Sequence, residues 1–379
     1  MQRRSILFAS LMNGSPWGGS EELWYRAALH AATRGHDVGS VVYGWDGRRA
    51  RLDALRAAGA RVFEIPNEGR GKRSLAEKLR FEVLTKLRRR VALASLPVER
   101  YECVVLNQGG WQDIAAAEWA GVRPRLRRYA LLFHNYDDEL SITRRRAERL
   151  AAWMDGAAAN LFAADRIRVK LEEKFGRTIP NGAVLLNPVG FVPPEQPIPL
   201  PPGPPWRFAV LAALDVGRKA QDVLVRAFAR PEWRERSFEL SLHGAGPDEE
   251  LLAGLIRECG LAGRVRLEGH TTDVLGVLQR THVVFQLTRI DAMPISVVEA
   301  LAAGRPVAVT PVGDMPAWVR PGESGWVAEG VTPAAIAATL EDVWASRSAW
   351  AAMGERAHRV FRERCSVSPE QLLLDAVLA

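Results

Sequence analysis

The sequence predicts an α/β protein with two parallel sheets, and three observations support this class. Short apolar runs, among them residues 5–10, 129–133 and 207–212, alternate with longer stretches of helical spacing. This alternation is typical of βα units in a parallel sheet. Glycine-rich or polar loops follow several of the runs, and residues 193–205 contain eight prolines that can form neither a helix nor a central strand.

The proline-rich segment is the clearest domain boundary in the chain. We therefore predict an N-terminal domain over residues 1–192, a linker over 193–205, and a second domain over 206–365. Residues 366–379 are predicted to form a final C-terminal helix.

Composition excludes several classes of protein. The 379 residues are 47% hydrophobic and 25% charged, as is usual for a globular chain, and no run approaches the 18 apolar residues of a membrane span. The three cysteines, Cys103, Cys259 and Cys365, lie far apart, which argues against a disulfide framework and favours a cytoplasmic protein. A net charge of +7 fits an anionic membrane or a phosphorylated ligand, and no nucleic-acid motif is present.

Residues 69–93 form the most basic stretch, with nine basic and two acidic residues up to Arg90. Leu75, Leu79, Val83 and Leu87 recur every four residues and predict an amphipathic helix. Two interpretations stay open. The helix lies on an anionic membrane, or its apolar stripe packs on the sheet and its basic face is solvated.

The stretch 286–313 predicts a strand, a loop, a helix and a second strand. Pro294 suits the start of the helix, and Gly304 suits its C-terminal cap. In a parallel sheet this loop lies at the carboxyl end of a strand, where ligands bind. The free N–H groups of Ile295 and Ser296 would favour an anion such as a phosphate.

Two carboxylates flank the start of this helix. Asp291 lies in the loop, and Glu299 lies eight residues later in an otherwise apolar segment. Burying a charged glutamate without partners is costly. Glu299 is therefore either on a solvated face or bound to a ligand with donors, such as sugar or ribose hydroxyls.

This carboxylate-x7-Glu pattern, followed by ALAAGRPV at 300–307 and VGDMP at 312–316, resembles a known donor-site signature. It is similar to that of the GT-B retaining glycosyltransferases of family four, also described as glycosyl transferases group 1. The resemblance implies two Rossmann-like domains facing across a cleft, with the final helix packed back on the first. It also implies transfer of a sugar from a nucleotide-sugar to an acceptor hydroxyl. No DxD pair stands in a suitable loop, so no metal or other cofactor is expected.

The first half resembles the same family at fewer positions. A Gly-Gly-Ser-Glu sequence begins at Gly18 and Gly19, and residues 34–38 read RGHDV. The resemblance assigns this loop to the cleft and His134 to the neighbourhood of the transferred sugar. Pro188 replaces the glycine of the family pattern, so the local turn differs.

In the second half, the resemblance assigns Lys219 to the donor diphosphate, together with Arg218 and the helix that begins near Pro294. It assigns Gly246 to a Gly-x-Gly-Pro loop and His270 to the neighbourhood of the nucleobase. Asp291 would contact the transferred sugar and Glu299 the ribose.

Two departures keep alternatives open. Ala213 replaces the usual phosphate-binding arginine, which Arg218 would have to replace, and Ala317 replaces a frequent glutamate. A degenerate nucleotide-sugar-binding or scaffold protein is therefore one rival, and an inverting transfer or sugar-nucleotide hydrolysis is another. The expected acceptor is a glycan or a lipid-linked molecule, and residues 69–93 would place the protein on the inner face of the membrane.

Overall fold

The computed structural model describes residues 3–13, 17–67, 75–137 and 140–379. It divides into two compact units, Met1–Pro188 with Val367–Ala379 and Val189–Ser366. Residues 69–74, the start of the predicted basic helix, lie outside the described residues. The proline-rich segment 193–205 belongs to the second unit.

The first unit is a seven-stranded parallel sheet with helices between its strands. Its inner strands are completely buried, because apolar side chains on both faces are covered by helices. In chain order the elements are β1 (Ser5–Ser10), α1 (Gly19–Thr33), β2 (Asp37–Tyr43), α2 (Arg49–Ala57), β3 (Arg61–Ile65), α3 (Leu75–Ser95), β4 (Cys103–Asn107), β5 (Tyr129–Phe133), α4 (Arg144–Asp155), β6 (Ala159–Phe162), α5 (Asp165–Phe175) and β7 (Gly182–Val184).

The second unit is a six-stranded parallel sheet built in the same way. Its elements are β8 (Trp206–Leu211), α6 (Val216–Lys219), α7 (Gln221–Phe228), β9 (Phe238–His243), α8 (Glu249–Glu258), β10 (Val265–Gly269), α9 (Val274–Gln279), β11 (Val283–Gln286), α10 (Ile295–Ala302), β12 (Val307–Val309), α11 (Met315–Trp318), β13 (Gly325–Val327), α12 (Pro333–Ala345) and α13 (Trp350–Arg364).

The two sheets share one strand order. The first reads β3-β2-β1-β4-β5-β6-β7 and the second β10-β9-β8-β11-β12-β13. Both contain the 3-2-1-4-5-6 order of the Rossmann fold, so each has a switch point where the order reverses, between β1 and β4 or between β8 and β11. The predicted fold class, α/β with two Rossmann-like parallel-sheet domains, is confirmed.

The last helix, α14 (Pro369–Leu378), belongs to the first unit. The hydroxyl of Ser368 accepts the N–H of Gln371 at the start of the helix. Leu373, Leu374 and Val377 are buried in the core that contains α1. The amphipathic spacing of these side chains therefore holds the end of the chain against the first sheet.

A buried arginine anchors the proline-rich segment within the second unit. The Arg305 side chain is completely buried and donates to the carbonyl oxygens of Ile198 (2.6 Å), Pro199 (2.9 Å) and Leu278 (2.7 Å). Burial lowers the pKa of Arg305 to about 10, which still leaves it charged at neutral pH.

Helix α3 is bound to the first unit by one face. Thr85 and Leu93 are buried, and Arg89 lies over the ring of Tyr43 while donating to Asn67 Oδ1 at 2.7 Å. Leu87 is 57% exposed, so the interpretation in which the apolar stripe packs on the sheet is wrong at this residue. The side chains of Leu75, Leu79 and Val83 are outside the described part of the helix. Among the described residues, no helix is long and apolar enough to cross a membrane.

Candidate active site

The second unit brings two predicted site residues together at its switch point. Lys219 ends the short helix that follows β8, and Asp291 lies in the loop after β11. The Lys219 Nζ contacts Asp291 Oδ2, and the two side chains are only 14% and 17% exposed. The pair lies where the carboxyl ends of β8 and β11 meet, so an incoming anion would find a positive group already ordered by a carboxylate.

Buried threonine hydroxyls hold the two loops in place. Thr288 donates to the carbonyl oxygen of Arg218 at 2.6 Å, and Thr310 donates to the carbonyl oxygen of Thr288 at 2.7 Å. The N–H of Arg289 also donates to the Arg218 carbonyl at 2.8 Å. The loops after β8, β11 and β12 are thereby joined. Sequence reasoning missed both threonines, although a hydroxyl at the end of a buried strand was a usable signal.

The Arg218 side chain is exposed, as is Ala213, where the resembled family has an arginine. Its backbone is fixed by the bonds just described and by Asp215, whose carboxylate accepts the Arg218 N–H at 3.1 Å. Arg289, which the sequence did not single out, donates to the carbonyl oxygen of Val216 and lies 3.6 Å from Asp222. Two further cations therefore lie near Lys219. Arg218 precedes it in the chain, and Arg289 is hydrogen-bonded to the same short helix.

Helix α10 begins at Ile295, and Pro294 is its N-cap rather than its first helical residue. The Ser296 hydroxyl donates to Gln286 Oε1 at 3.1 Å and points into the protein. Only the backbone N–H groups of Ile295 and Ser296 are therefore suited to meet a ligand, because the first N–H groups of a helix have no acceptor within it.

Glu299 is buried, with 6% of its surface exposed, so the solvated-face interpretation is wrong. Its Oε1 accepts the backbone N–H of Gly190 at 2.8 Å. A Cβ at Gly190 would lie 2.9 Å from that oxygen, so a larger residue there would require the end of the Glu299 side chain to shift. The charge of Glu299 is thus partly balanced by a backbone donor, and its contact with ribose stays a prediction.

Gly246 is required by packing. A Cβ there would lie 2.3 Å from the carbonyl oxygen of Leu214, in the loop after β8. Gly313 makes a similar approach, since its Cβ would lie 1.9 Å from the carbonyl oxygen of Ala292, beside Asp291. These glycines set the positions of the loops. His270 is exposed in the loop after β10.

The first unit places a different group at its switch point. His134 follows β5, and its Nε2 lies 2.6 Å from Asn107 Oδ1 at the end of β4. Burial lowers the pKa of His134 to about 4, with the side chain of Asn187 opposing the shift, so the ring is neutral at pH 7. Gly18 is the N-cap of α1, and Gly19 is its first residue.

Behind His134 lies a buried carboxylate that sequence reasoning missed. Glu21 is completely buried and accepts from Ser10 Oγ at 2.8 Å and Asn107 Nδ2 at 2.9 Å. Arg48 Nη2 lies 3.3 Å from its Oε2. Burial raises the pKa of Glu21, and Arg48 opposes that shift. The spacing Glu21, Trp24, Ala28, which follows the inner face of α1, was the available signal.

Among the residues that the structure describes, no group of three or more His, Cys, Asp or Glu side chains could hold a metal ion. Metal independence of the reaction stays a prediction.

Comparison with known proteins finds relatives for most of the second unit. The family described as Glycosyl transferases group 1 matches residues 207–346. A GDP-mannose-dependent alpha-(1-6)-phosphatidylinositol monomannoside mannosyltransferase of Mycobacterium tuberculosis is 32% identical over 148 residues. These are 37% of this chain and 38% of that protein, so the chain matches little more than a third of the relative's length.

Solved structures extend the likeness to the whole chain. HepE of Anabaena, in complex with UDP and glucose, superposes with a TM-score of 0.74 at 14% identity, covering 99% of both chains. Sucrose-phosphate synthase of Thermosynechococcus elongatus gives a TM-score of 0.71 at 16% identity over 98% of this chain and 99% of its own. At these identities the likeness establishes the fold. The chain therefore has the GT-B fold, and its residues 207–346 are similar to the group 1 glycosyl transferases.

Proposed function

We propose that the protein is a retaining glycosyltransferase that moves a sugar from a nucleotide-sugar to an acceptor hydroxyl. The observation that carries the proposal is the ion pair of Lys219 and Asp291 at the second switch point, within the segment that matches the group 1 family. The pair combines a cation for a diphosphate with a carboxylate for a polyhydroxylated or positively charged sugar. We place the reaction in the synthesis of a glycan, a glycolipid or a cell-surface polysaccharide.

The named relatives support the donor class. The mycobacterial relative is named as GDP-mannose-dependent, and HepE was solved with UDP-glucose. Both names refer to a sugar joined to a nucleoside diphosphate. The base and the sugar for this chain are to be found by experiment.

In the proposed transfer reaction, different groups of the second unit act on the diphosphate and on the sugar. The bond between the anomeric carbon and the diphosphate oxygen breaks, and its electron pair stays on that oxygen. Lys219, Arg218 and the N–H groups at the start of α10 stabilise the charge that develops there. Asp291 steadies the positive charge on the sugar ring. The acceptor oxygen bonds to the anomeric carbon on the face that the diphosphate leaves, and the acceptor proton passes to the departing phosphate.

Donor binding is tested first, by thermal unfolding with UDP, GDP, ADP and TDP and their sugars. A ligand at 100 times its Kd stabilises the fold by about 2.7 kcal/mol. We expect one base to raise the melting temperature of the wild type and to lose most of this effect in Glu299→Gln, which keeps the size of the buried side chain. No shift with any nucleotide would contradict the proposal.

Turnover is tested separately with the nucleotide-sugar that binds. Release of nucleoside diphosphate only when an acceptor is added, with an unchanged anomeric configuration in the product, would support retaining transfer. Binding without release would favour the alternative function, a nucleotide-sugar-binding or scaffold protein. The presence of Ala213 in place of the usual arginine is the feature that supports this alternative. Inversion in the product would exclude the retaining mechanism, and release without an acceptor would indicate hydrolysis.

We further propose that α3 lies on an anionic membrane. Leu84, Leu87 and Val91 are 43%, 57% and 63% exposed and lie on one side of the helix at spacings of three and four residues. Arg88 and Arg90 are exposed, and the rotation of about 100° per residue in an α-helix places them on opposite sides of this stripe. An apolar stripe between arginines suits the boundary between acyl chains and anionic headgroups.

A cavity of about 530 Å³ opens beside the stripe. Its lining consists of three arginines, one glutamate and three apolar side chains: Arg90, Arg146, Arg149, Glu118, Leu87, Ala116 and Ala117. The buried Nε atoms of Arg146 and Arg149 have no hydrogen-bond partner among the described residues. Glu118 accepts from the Tyr43 hydroxyl at 3.1 Å, and Arg146 Nη2 donates to the carbonyl oxygen of Gln112 at 3.1 Å, so the two Nε atoms are the donors that the cavity offers to an external anion. A lipid phosphate in the cavity would place its acyl chains near Leu87.

Vesicle sedimentation tests this contact, with phosphatidylglycerol and phosphatidylcholine vesicles as probes. We expect binding to the anionic vesicles alone, and its loss in Leu87→Asp or in Arg146→Gln with Arg149→Gln. Leu251→Asp is the matched control, since Leu251 is a 52% exposed leucine in α8. Equal losses in the control, or no binding by the wild type, would contradict the proposal. Competition by inorganic phosphate would show that the cavity binds a free anion instead.

A further inference from the structure

The switch point of the first unit contains a continuous hydrogen-bonded network. Ser10 Oγ lies 2.8 Å from both carboxylate oxygens of Glu21, and Arg48 Nη2 lies 3.3 Å from Oε2. Asn107 joins this carboxylate to His134. The members come from β1, α1, the segment before α2, β4 and the loop after β5, so only the folded sheet assembles them.

The orientation of the Asn107 amide follows from the carboxylate. An ionised carboxylate only accepts hydrogen bonds, so the Nδ2 of Asn107 must face Glu21, at 2.9 Å. The Oδ1 then faces His134 Nε2 at 2.6 Å. Because an amide oxygen cannot donate, the proton of the neutral ring must be on Nε2.

The opposite arrangement requires a protonated Glu21. Its O–H would donate to Asn107 Oδ1, the amide would be reversed, and its Nδ2 would donate to a bare Nε2 of His134. The ionised form is favoured in the structure by three donors: the Ser10 hydroxyl, the Asn107 amide and the guanidinium of Arg48. The charge of Glu21 is thus linked to the position of a proton on His134.

We propose that Glu21 is a positioning residue which, through Asn107, holds neutral His134 in the Nε2–H tautomer. The ring Nδ1 then keeps its lone pair, so it is an acceptor for a hydroxyl group and not a donor. Nδ1 is buried and has no hydrogen-bond partner among the described residues, and the side chain of Asn187 interacts with the ring. The assignment of that hydroxyl to a sugar or acceptor rests on the proposed function, whereas the tautomer does not.

The tautomer can be measured directly. Long-range ¹H–¹⁵N correlation spectra of the full chain with ¹⁵N-labelled histidine, at pH 7, distinguish the proton-bearing ring nitrogen from the bare one. Seven histidines contribute signals, and those missing from His134→Gln belong to His134. We expect Nε2 of His134 to carry the proton. A proton on Nδ1 in the wild type would overturn the proposal.

Two variants test the role of the network. In Glu21→Gln and in Asn107→Leu the ring is no longer forced to one tautomer, so the two ¹⁵N shifts of His134 should move toward each other. Ser10→Ala is the matched control, because it removes a bond to the same carboxylate but leaves Asn107 in place. A single Nε2–H tautomer in both variants would overturn the role of Glu21. If Glu21→Gln does not fold, Asn107→Leu decides.

The outcome is separable from that of the proposed function. The spectra need no substrate, so the tautomer is established or excluded even if no sugar transfer is found. If the protein is active, Glu21→Gln should lower turnover while the thermal shift given by the nucleotide is unchanged. Loss of both would indicate general damage to the fold, and the spectra of Asn107→Leu would then decide the role.

Discussion

The two units have the same strand order but opposite chemistry at their switch points. In the first, the carboxylate of Glu21 is completely buried and bonded to Ser10, Arg48 and Asn107. In the second, the carboxylate of Asp291 is 17% exposed and pairs with Lys219, while Arg218 projects into solvent. The first unit uses its charged groups within the fold, and the second leaves charged groups accessible to a ligand.

The loops at the two switch points are also held in place by different contacts. Side-chain hydrogen bonds to one carboxylate hold the loops of the first switch point. Backbone contacts at Gly246 and Gly313, with the hydroxyls of Thr288 and Thr310, hold those of the second. A site that binds an anion benefits from loops fixed without its own cations, because the cations then lose little hydrogen bonding when the ligand arrives. Topology thus gives the place of a site, and the local residues decide its use.

The largest difference between the units is expected from removing the two carboxylates. Glu21→Ala leaves the buried charge of Arg48 without its carboxylate and should lower the free energy of unfolding by about 3–5 kcal/mol. Asp291→Ala should cost less, because Lys219 is 14% exposed and keeps some access to water, whereas Arg48 is completely buried. Urea unfolding of both variants measures the difference. Equal losses would show that the two carboxylates have the same structural role.

At the second switch point, turnover should be more sensitive than stability to the loss of a charged group. Lys219→Met removes a cation from the site where the diphosphate charge develops, and turnover should fall about 10²–10³-fold. The fold should be retained, since this side chain is not part of the core. Lys170→Met, which changes a lysine of α5 that pairs with Glu173, is the matched control. Equal rates for the Lys219 variant and the wild type would remove Lys219 from the mechanism.

The sequence predicted the second switch point better than the first. An apolar strand, a loop with Asp291, Pro294 and an apolar helix are contiguous in the chain, and the structure places them as β11, the loop and α10. Lys219 and Asp291 were both predicted as site residues, but their pairing spans 72 residues and no local pattern indicates it.

The network of the first unit shows why the first switch point could not be predicted from the sequence. A glutamate in the first turn of a helix is usually solvated and favoured by the helix dipole, so the one sign of burial at Glu21 was its place on the inner face of α1. Its bond to Asn107 spans 86 residues, and only the pairing of β1 with β4 brings the two together. The burial of Arg305 was not predicted for the same reason, since two of its partners lie more than 100 residues away.

Each unit also contains a neutral histidine, which predicts a common dependence on pH. Burial lowers the pKa of His134 and of His282 to about 4. In the unfolded chain both titrate near 6.5, so between pH 6.5 and 4 the unfolded state binds more protons than the native state. The contribution of these two groups to the free energy of unfolding is fully present above pH 6.5 and is lost as the pH falls toward 4. For each histidine the loss is about 1.36 kcal/mol per unit of difference between its pKa in the unfolded and native states.

Thermal unfolding from pH 7.5 to 4 measures this loss, and His282→Gln isolates one contribution. The ring of His282 is completely buried, and its Nδ1 accepts the N–H of Arg207 at 2.9 Å, a bond that requires a bare nitrogen. The variant should be less stable at pH 7 but should lose less stability on acidification than the wild type. Parallel curves for the two proteins would show that His282 does not titrate as proposed.

The smallest effect concerns the glycine that holds the second switch point. Gly246→Ala places a Cβ 2.3 Å from the carbonyl oxygen of Leu214, so the loops after β8 and β9 must separate. Such overpacking should cost about 1–3 kcal/mol. Gly254→Ala is the matched control: it lies in α8 with no atom within 4 Å of its Cβ, and should stabilise the helix by about 0.5–1 kcal/mol. Urea unfolding should therefore give opposite signs, and the nucleotide shift should weaken in Gly246→Ala alone, because the loop that it displaces leads into Lys219.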